Sequence, residues 1–248
     1  DHDKEYEAVL LLGTTTDTED MTGTVLTEQP VDVTEEQVRQ VIASYVGTYE
    51  QVPPMYSAIK VNGQKLYDLA RQGQVIERKP RPVTIYTLEI LDMDLPRIRL
   101  RIRCSRGTYI RSLCRDIGES LSCGGCMEQL IRTRACGFHA AQSLRLDEIE
   151  AHEKDGTLAG YITAIDEMYA ELPKLTVTEA GDRLIHNGNK FRKECIASMT
   201  EGTQTETCED DNMDEAARYL VYDSGKRFTG IYEYDLGAGE FRPYKMFL

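Results

Sequence analysis

The fold is decided by residues 97–121, RIRLRIRCSRGTYIRSLCRDIGESL, where a strand turns into a helix. Over Arg97–Cys104, arginines alternate with apolar residues, so all four arginines lie on one face of the strand. Helical sequence follows from Tyr109 to Leu121. Two interpretations of the arginine face remain open. It is either the solvated outer face of a half-buried strand or a stripe that faces RNA.

The turn between this strand and this helix is the best candidate for chemistry that the residues themselves offer. The first backbone N–H groups of a helix can bind an anion. Tyr109 and Arg111, two positions apart at the helix start, can present an aromatic ring and a fixed guanidinium to one pocket. The alternative is that Tyr109 belongs to the core and that Arg111 is solvated.

Strands and helices alternate on both sides of this turn. The pattern predicts strands at Tyr6–Leu12, Val83–Asp94, Tyr219–Tyr222, Phe228–Tyr234 and Phe241–Leu248, helices from Thr34 to about Val46, at Lys65–Gly73 and at Glu179–Asn187, a helical region at Leu146–Tyr169, and an acidic loop around Glu209–Asp211. An Asn62-Gly63 dipeptide predicts a tight hairpin turn. With Pro173 as a boundary, the sequence predicts mixed α and β structure in two unequal domains.

Composition excludes several classes of protein. No run of about 18 apolar residues occurs, so we expect no membrane span. Seven cysteines, an odd number in a long chain, favour free thiols in a reducing compartment, and we expect a cytoplasmic protein. The lone Cys123-x-x-Cys126 pair lacks further ligands at zinc spacing, so no metal site is predicted. P-loop, dinucleotide-binding, zinc-protease and serine-hydrolase motifs are also missing.

The net charge of −13 conceals an uneven distribution of charge. Residues 60–134 carry 15 Lys and Arg against 8 Asp and Glu, a net of +7. Residues 146–248 carry 11 against 22, a net of −11. A basic middle is compatible with a local RNA-binding face, although the average charge of the chain is acidic.

Four segments resemble the TruB family of tRNA pseudouridine synthases, in that family's order and at its spacing. They are KEYEAVLLLGTTTDTEDMTG at residues 4–23, PPMYSAIKVNGQKLYDLARQG at 53–73, RCSRGTYIRSLCRDIGESLSCGG at 103–125 and QLIRTRACGF at 129–138. Together they cover most of residues 4–140. Two later stretches, LTVTEAGDRLIHNGNKF and YLVYDSGKRFTGIYEY, more loosely resemble the PUA-like domain of bacterial members.

The resemblance implies an α+β protein with the pseudouridine synthase fold, a mixed and mainly antiparallel central sheet with flanking helices. It places an N-terminally incomplete catalytic domain at residues 1–172, with a thumb-like insertion at about 54–82. A small β-rich, PUA-like domain is expected at residues 173–248.

The resemblance also implies the reaction. Family members flip uridine 55 out of the T-loop of tRNA and isomerise it to pseudouridine, breaking the glycosidic bond and forming a C–C bond with the help of an aspartate. They use no metal or other cofactor. The expected partner is the T-arm stem-loop of tRNA, with no membrane and no obligatory protein partner, and the expected state is a monomer.

Site residues are carried over from the family by position. Tyr6 matches a tyrosine that stacks on the flipped base and is proposed to help remove the C5 proton. Arg111 matches the arginine that pairs with the catalytic carboxylate. Tyr109 and Leu130 match residues that line the uridine pocket. Basic positions that meet tRNA phosphates are matched by Lys60, Arg106 and Arg132.

One family feature is missing. The nucleophilic aspartate of the family lies in a G-T-L-D-P-type motif upstream of the Tyr6 strand, and no such motif occurs in the 248 residues. Asp17 and Asp20 fall in a different family segment, the turn after that strand. We therefore expect this polypeptide alone to be inactive. The alternatives are a non-catalytic tRNA-binding or tRNA-folding module and a guide-RNA-dependent relative that modifies ribosomal RNA.

Overall fold

The computed structural model describes residues 3–61, 63–200 and 217–247. The chain divides into two units, residues 1–145 and 146–248. This division lies ahead of the domain boundary predicted at Pro173, and the first strand of the second unit starts at Lys174. The assignment of domains to residues 1–172 and 173–248 remains a prediction.

The first unit is built around one sheet. Its strands are β1 (Lys4–Leu12), β2 (Thr14–Thr16), β3 (Val25–Glu28), β4 (Gly47–Gln51), β5 (Lys60–Val61), β6 (Gln64–Lys65), β7 (Arg81–Asp94), β8 (Arg97–Cys104), β9 (Gly125–Ala135) and β10 (Phe138–His139). Its helices are α1 (Glu35–Ser44), α2 (Leu66–Arg71) and α3 (Ile110–Ser120), with a 3₁₀ turn at Ala140–Gln142. The sheet has the order β10-β9-β1-β8-β7-β4, and its pairings among the described residues are antiparallel. The small pairs β2-β3 and β5-β6 lie outside it.

Strand β8 shows why the sheet has two different faces. Ile98, Leu100 and Ile102 are fully buried, and each contributes about 1.5–3 kcal/mol relative to an exposed side chain. The intervening arginines point to the opposite face, as the alternation predicted. There they bind carboxylates: Arg97–Glu128 at 3.0 Å, Arg99–Glu7 at 2.6 Å, Arg101–Glu7 at 3.0 Å and Arg103–Asp3. These pairings favour the solvated-face interpretation, because each of the four guanidinium groups already has a carboxylate partner.

Helices α1 and α3 enclose the core on the buried face. Helix α1 begins at the predicted capping box, with Thr34 and Gln37 each bonding to the other's backbone N–H. Helix α3 packs on β9 and β1. A Cβ at Gly118 would lie 2.3 Å from the backbone of Gly124 and Gly125, so only glycine lets α3 approach the start of β9 this closely. This close packing fixes the last turn of α3 against the start of β9.

The second unit has its own sheet and core. Its strands are β11 (Lys174–Val177), β12 (Phe191–Arg192), β13 (Ile196–Thr200), β14 (Arg218–Tyr222), β15 (Phe228–Asp235) and β16 (Glu240–Met246), in the order β12-β16-β15-β14-β11-β13. Its helices are α4 (Leu146–Asp155) and α5 (Glu179–His186), with 3₁₀ turns at Leu158–Tyr161, Asp166–Tyr169 and Lys193–Cys195. Strands β11 and β14 are parallel. The core is formed by a cluster around Leu175, Ile185, Tyr232 and Phe241.

Most predicted elements are confirmed, and the differences have local causes. The helical region predicted at Leu146–Tyr169 is one α-helix followed by two 3₁₀ turns. Strands β3, β4 and β11 to β13 are not predicted from the sequence, because they are short and lack a long alternating pattern. Between β1 and the turn that holds Asp17 and Asp20, the chain forms the short strand β2. The acidic loop at Glu209–Asp211 and the residue Asn62 lie outside the described residues.

Candidate active site

A short acidic turn, residues 17–24, follows β2 and ends at β3. Thr24 N–H donates to Asp17 Oδ1 at 2.7 Å and Asp17 N–H donates to Thr24 O at 3.1 Å, so the turn closes on itself. A Cβ at Gly23 would lie within 2.3 Å of side-chain atoms of Asp17 and Thr18, so a larger residue there would displace both side chains. The backbone of Glu19 and Met21 bonds to Met127, which attaches the turn to β9.

Asp20 is the most constrained carboxylate of this turn. Its Oδ1 accepts hydrogen bonds from Thr18 Oγ1 at 2.8 Å, Thr22 N at 3.0 Å and Thr22 Oγ1 at 2.5 Å. Its Oδ2 accepts one from Arg111 Nη1 at 3.0 Å. Burial acts to raise the pKa of Asp20, but the bonds from Thr22 and Thr18 and the charge of Arg111 outweigh it and lower the pKa. Asp20 is therefore ionised at neutral pH, with both oxygens engaged.

Arg111 connects three segments from the first turn of α3. Nη1 donates to Thr18 O at 3.1 Å and to Asp20, and Nη2 donates to Tyr56 O at 2.8 Å. A guanidinium has five N–H groups in a planar fork, so these three bonds leave two donors for a further acceptor. The side chain is 23% exposed, which keeps it within reach of a ligand. The pairing of Arg111 with the family's catalytic carboxylate stays a prediction, and within this chain its carboxylate partner is Asp20.

Tyr109 is the N-cap residue of α3 and is held through its backbone. Gln51, at the end of β4 and 2% exposed, accepts from Tyr109 N at 2.9 Å and donates to Tyr109 O at 3.0 Å. Its amide also donates to Tyr49 Oη at 2.5 Å. A cavity of about 200 Å³ beside Tyr109 is lined by Gln51, Arg81 and Arg106 among others. Tyr109 and Arg106 therefore border one concavity.

Tyr6, Leu130 and Arg132 share one face of the sheet. Tyr6 is the cross-strand partner of Arg132, and Ala8 is the partner of Leu130, so these side chains project on the same side. Tyr6 packs against the core and is half-buried, whereas Leu130 is 41% exposed and Arg132 is exposed. Burial, with a smaller effect from Cys104, raises the pKa of the Tyr6 phenol, and Arg132 offsets only part of this. Tyr6 is a neutral phenol at neutral pH.

Lys60 lies apart from this cluster, on the short hairpin β5-β6. With Lys65, Asp68 and Arg71 it lines a concavity of about 630 Å³. Lys65 Nζ and the Arg71 guanidinium lie near the Tyr67 ring, 5.2 Å and 5.4 Å from its centroid. The hairpin is followed by α2, whose Leu66 and Leu69 are buried. The predicted thumb-like insertion therefore carries a basic groove on an anchored helix.

Two residues of the site, Asp20 and Gln51, are not predicted from the sequence. Asp20 was assigned to a turn without a role, although threonines two positions before and after it are a pattern that supplies local hydroxyl donors. Gln51 gave no signal, because its partner Tyr109 is 58 residues away. Among the described residues, no group of three or more His, Cys, Asp or Glu could hold a metal ion. The described cysteines, Cys123 and Cys126 among them, are free thiols.

The fold is shared with solved structures that retain little sequence identity. The chain matches a protein in the "Crystal Structure of a Cbf5-Nop10-Gar1 Complex" with a TM-score of 0.65 at 21% identity, covering 99% of this chain and 67% of that one. A second match, "Structure of H/ACA RNP bound to a substrate RNA containing 2'-deoxyuridine", has a TM-score of 0.64 at 18% identity, covering 99% and 66%. These matches support the α+β pseudouridine synthase fold.

Family models and relatives narrow the assignment. Residues 1–110 match the model "TruB family pseudouridylate synthase (N terminal domain)", and residues 111–169 match "tRNA pseudouridylate synthase B C-terminal domain". A tRNA pseudouridine synthase B of Lachnoclostridium phytofermentans is 48% identical, covering 100% of this chain and 80% of the relative. One from Clostridium novyi is 37% identical, covering 92% and 73%. The chain belongs to the TruB family of pseudouridine synthases.

Proposed function

We propose that this protein isomerises uridine 55 in the T-loop of tRNA to pseudouridine. The observation that carries the proposal is the Arg111–Asp20 pair beside Tyr109 at the start of α3, in a chain of the TruB family. The isomerisation moves C1′ of the ribose from N1 to C5 of the same base. The C5 proton is lost and N1 gains one, so atoms and electrons balance without a cofactor.

Arg111 orients a carboxylate in this proposal. Its fork is held by Asp20 and by the carbonyls of Thr18 and Tyr56, so the two remaining N–H groups have a fixed direction. A fixed guanidinium keeps a second carboxylate ionised and aimed at C1′. Asp20 is itself a poor nucleophile, because four hydrogen bonds engage both of its oxygens. Asp20 is therefore a positioning residue.

We infer that the nucleophilic aspartate comes from a part of the protein outside these 248 residues. The family's G-T-L-D-P-type motif has no counterpart in the chain, and the carboxylate nearest Arg111 is engaged. The corresponding expectation is that residues 1–248 alone bind tRNA but form no pseudouridine.

The flipped base is held by Tyr6, Tyr109 and Leu130. The half-buried ring of Tyr6 offers a stacking surface, and the exposed Leu130 offers an apolar contact on the same face of the sheet. Removal of the C5 proton by the Tyr6 phenolate is opposed by its raised pKa. We therefore assign stacking to Tyr6, and proton transfer at C5 requires a phenol activated by the bound substrate.

Basic groups outside the pocket would hold the RNA. Lys60 on the thumb-like segment, Arg106 beside the Tyr109 cavity and the exposed Arg132 are placed to meet phosphates of the T-arm. We propose that the protein works as a cytoplasmic monomer without an obligatory protein partner. No helix among the described residues is long and apolar enough to cross a membrane.

The experiment is pseudouridine formation by the complete gene product on an unmodified tRNA transcript. Tritium release from 5-tritiated uridine measures the reaction, and mapping of the modified position identifies the site. A transcript with cytidine at position 55 is the matched control. We expect stoichiometric release from the first transcript and none from the second. Modification at another uridine, or no release, would reject the proposal.

A further inference from the structure

Glu19, the residue before Asp20, is a buried acid that the proposed reaction does not use. Its side chain is 10% exposed and turns toward α3. Glu19 Oε2 accepts a hydrogen bond from Ser112 Oγ at 2.6 Å, and Oε1 pairs with the Arg115 guanidinium. Two adjacent acids of the turn therefore contact α3: Asp20 binds Arg111, and Glu19 binds Arg115.

The two arginines, one helical turn apart, make parallel sets of contacts. Arg111 binds Asp20 and the carbonyl of Tyr56. Arg115 binds Glu19 and, at 3.1 Å, the carbonyl of Val52. Val52 lies just before the thumb-like insertion, and Tyr56 is among its first residues. Each arginine thus joins one acid of the turn to one carbonyl at the root of the thumb.

Arg115 is itself fixed by neighbours on its own helix. Its Nη2 lies 2.6 Å from Asp116 Oδ1, and its Nε lies 3.8 Å from Glu119 Oε1. Asp116 is in turn an acceptor for Tyr49 Oη at 3.4 Å. The guanidinium is 18% exposed and therefore has little freedom to leave Glu19 for solvent.

Glu19 is an unfavourable residue for its own position. Its φ of 65° lies in the left-handed region, which residues with a Cβ rarely adopt. Burial also raises the pKa of its carboxyl, and the charge of Arg115 and the bond from Ser112 offset only part of this effect. Strained, desolvated residues persist where the surrounding structure over-determines them, and they concentrate at functional sites.

We propose that Glu19 and Arg115 are a positioning pair that holds Asp20, and through it Arg111, in the geometry used for catalysis. The proposal rests on the proposed function, because it assigns the pair to the same site. Loss of the Glu19 carboxylate removes one of the two contacts that hold the acidic turn against α3. The turn, and Asp20 with it, can then move, and the Arg111 guanidinium loses its fixed direction. Chemistry is slowed, whereas tRNA binding is kept.

The experiment uses the complete gene product with two substitutions at one position. Glu19→Gln removes the charge and keeps the shape, and Glu19→Gly removes the side chain together with the backbone strain. We expect the single-turnover rate to fall about tenfold or more in both, with the Kd for tRNA within about twofold of wild type. Glu36→Gln, an exposed acid on α1 that contacts Gln40, is the control and should retain the wild-type rate.

A double-mutant cycle separates positioning from general stability. If Glu19 acts through Asp20, Glu19→Gln should change the rate less than about twofold in an Asp20→Asn background. Independent, multiplying effects would overturn the proposal, as would wild-type rates in both Glu19 variants.

Amide hydrogen exchange supplies a readout that does not need activity. Residues 17–24 should exchange faster in Glu19→Gln than in wild type or Glu36→Gln. An inactive wild-type enzyme would reject the proposed function only, and unchanged exchange in the turn would then reject the positioning pair by itself.

Discussion

Arg111 brings a charge into a partly buried site and finds a defined acceptor for each of three donors. Lysine at this position would carry the same charge but only as a point on a flexible stem. It could satisfy Asp20 or Tyr56 O, and it could not hold the planar fork that presents two further donors. The orienting role of Arg111 therefore depends on the planar geometry of its guanidinium rather than on its charge alone.

Arg111→Lys should therefore lower the single-turnover rate about 100-fold or more while the Kd for tRNA changes less than about threefold. Rapid-quench measurement of pseudouridine formation, together with filter binding, tests both quantities. Arg39→Lys, an exposed residue of α1 paired with Glu35, is the matched control. Unchanged chemistry in Arg111→Lys would contradict the orienting role.

Gln51 acts on Tyr109 through the backbone and is fully enclosed. Gln51→Leu would leave the N–H of Tyr109 without its partner, while the Tyr109 carbonyl would keep only its bond from Leu113 N, and the free energy of unfolding should fall by about 1–3 kcal/mol. Urea denaturation measures the loss. Gln40→Leu, on the exposed side of α1, should change stability by less than about 0.5 kcal/mol. Equal losses of stability in the two variants would show that the bonds from Gln51 to Tyr109 stabilise the fold no more than an exposed glutamine does.

At the scale of elements, long periodic stretches could be predicted from sequence and contacts between distant segments could not. The alternation of Arg97–Cys104 fixed both faces of β8, and the Thr34–Gln37 box fixed the start of α1. The alternation does not reveal which carboxylates bind the arginines of β8, because these carboxylates come from other segments of the chain. The Asp20–Arg111 contact spans 91 residues and depends on how α3 docks, so no local signal could reveal it.

The hairpin β5-β6 and helix α2 form the element that should touch RNA outside the pocket. Lys60→Ala should weaken tRNA binding and reduce the slope of log K against log salt by about one unit, because one phosphate contact is lost. The single-turnover rate at saturating enzyme should stay at the wild-type value. Lys154→Ala, on α4 and paired with Glu150, is the control. An unchanged salt slope in Lys60→Ala would place this lysine away from the RNA.

At the scale of the whole molecule, acids whose pKa values shift in opposite directions have opposite effects on how stability depends on pH. Bonds from Arg99 and Arg101 lower the pKa of Glu7, whereas burial raises the pKa of Glu19. An acid whose folded pKa is lowered stabilises the protein above its unfolded pKa, near 4, and this contribution is lost as pH falls through the folded value. An acid whose folded pKa is raised stabilises the folded state below the unfolded pKa, and this contribution is lost as pH rises through the folded value.

The isosteric variants Glu7→Gln and Glu19→Gln should therefore differ from wild type in opposite ways in how their stability depends on pH. Relative to Glu7→Gln, wild type should lose stability as pH is lowered from 7 to 3. Relative to Glu19→Gln, it should gain stability over the same range, since the desolvated carboxylate becomes protonated. Urea midpoints at several pH values measure both differences, and each comparison cancels the titration of every other acid in the chain. Parallel curves for the three proteins would mean that neither carboxylate titrates differently in the folded and unfolded states.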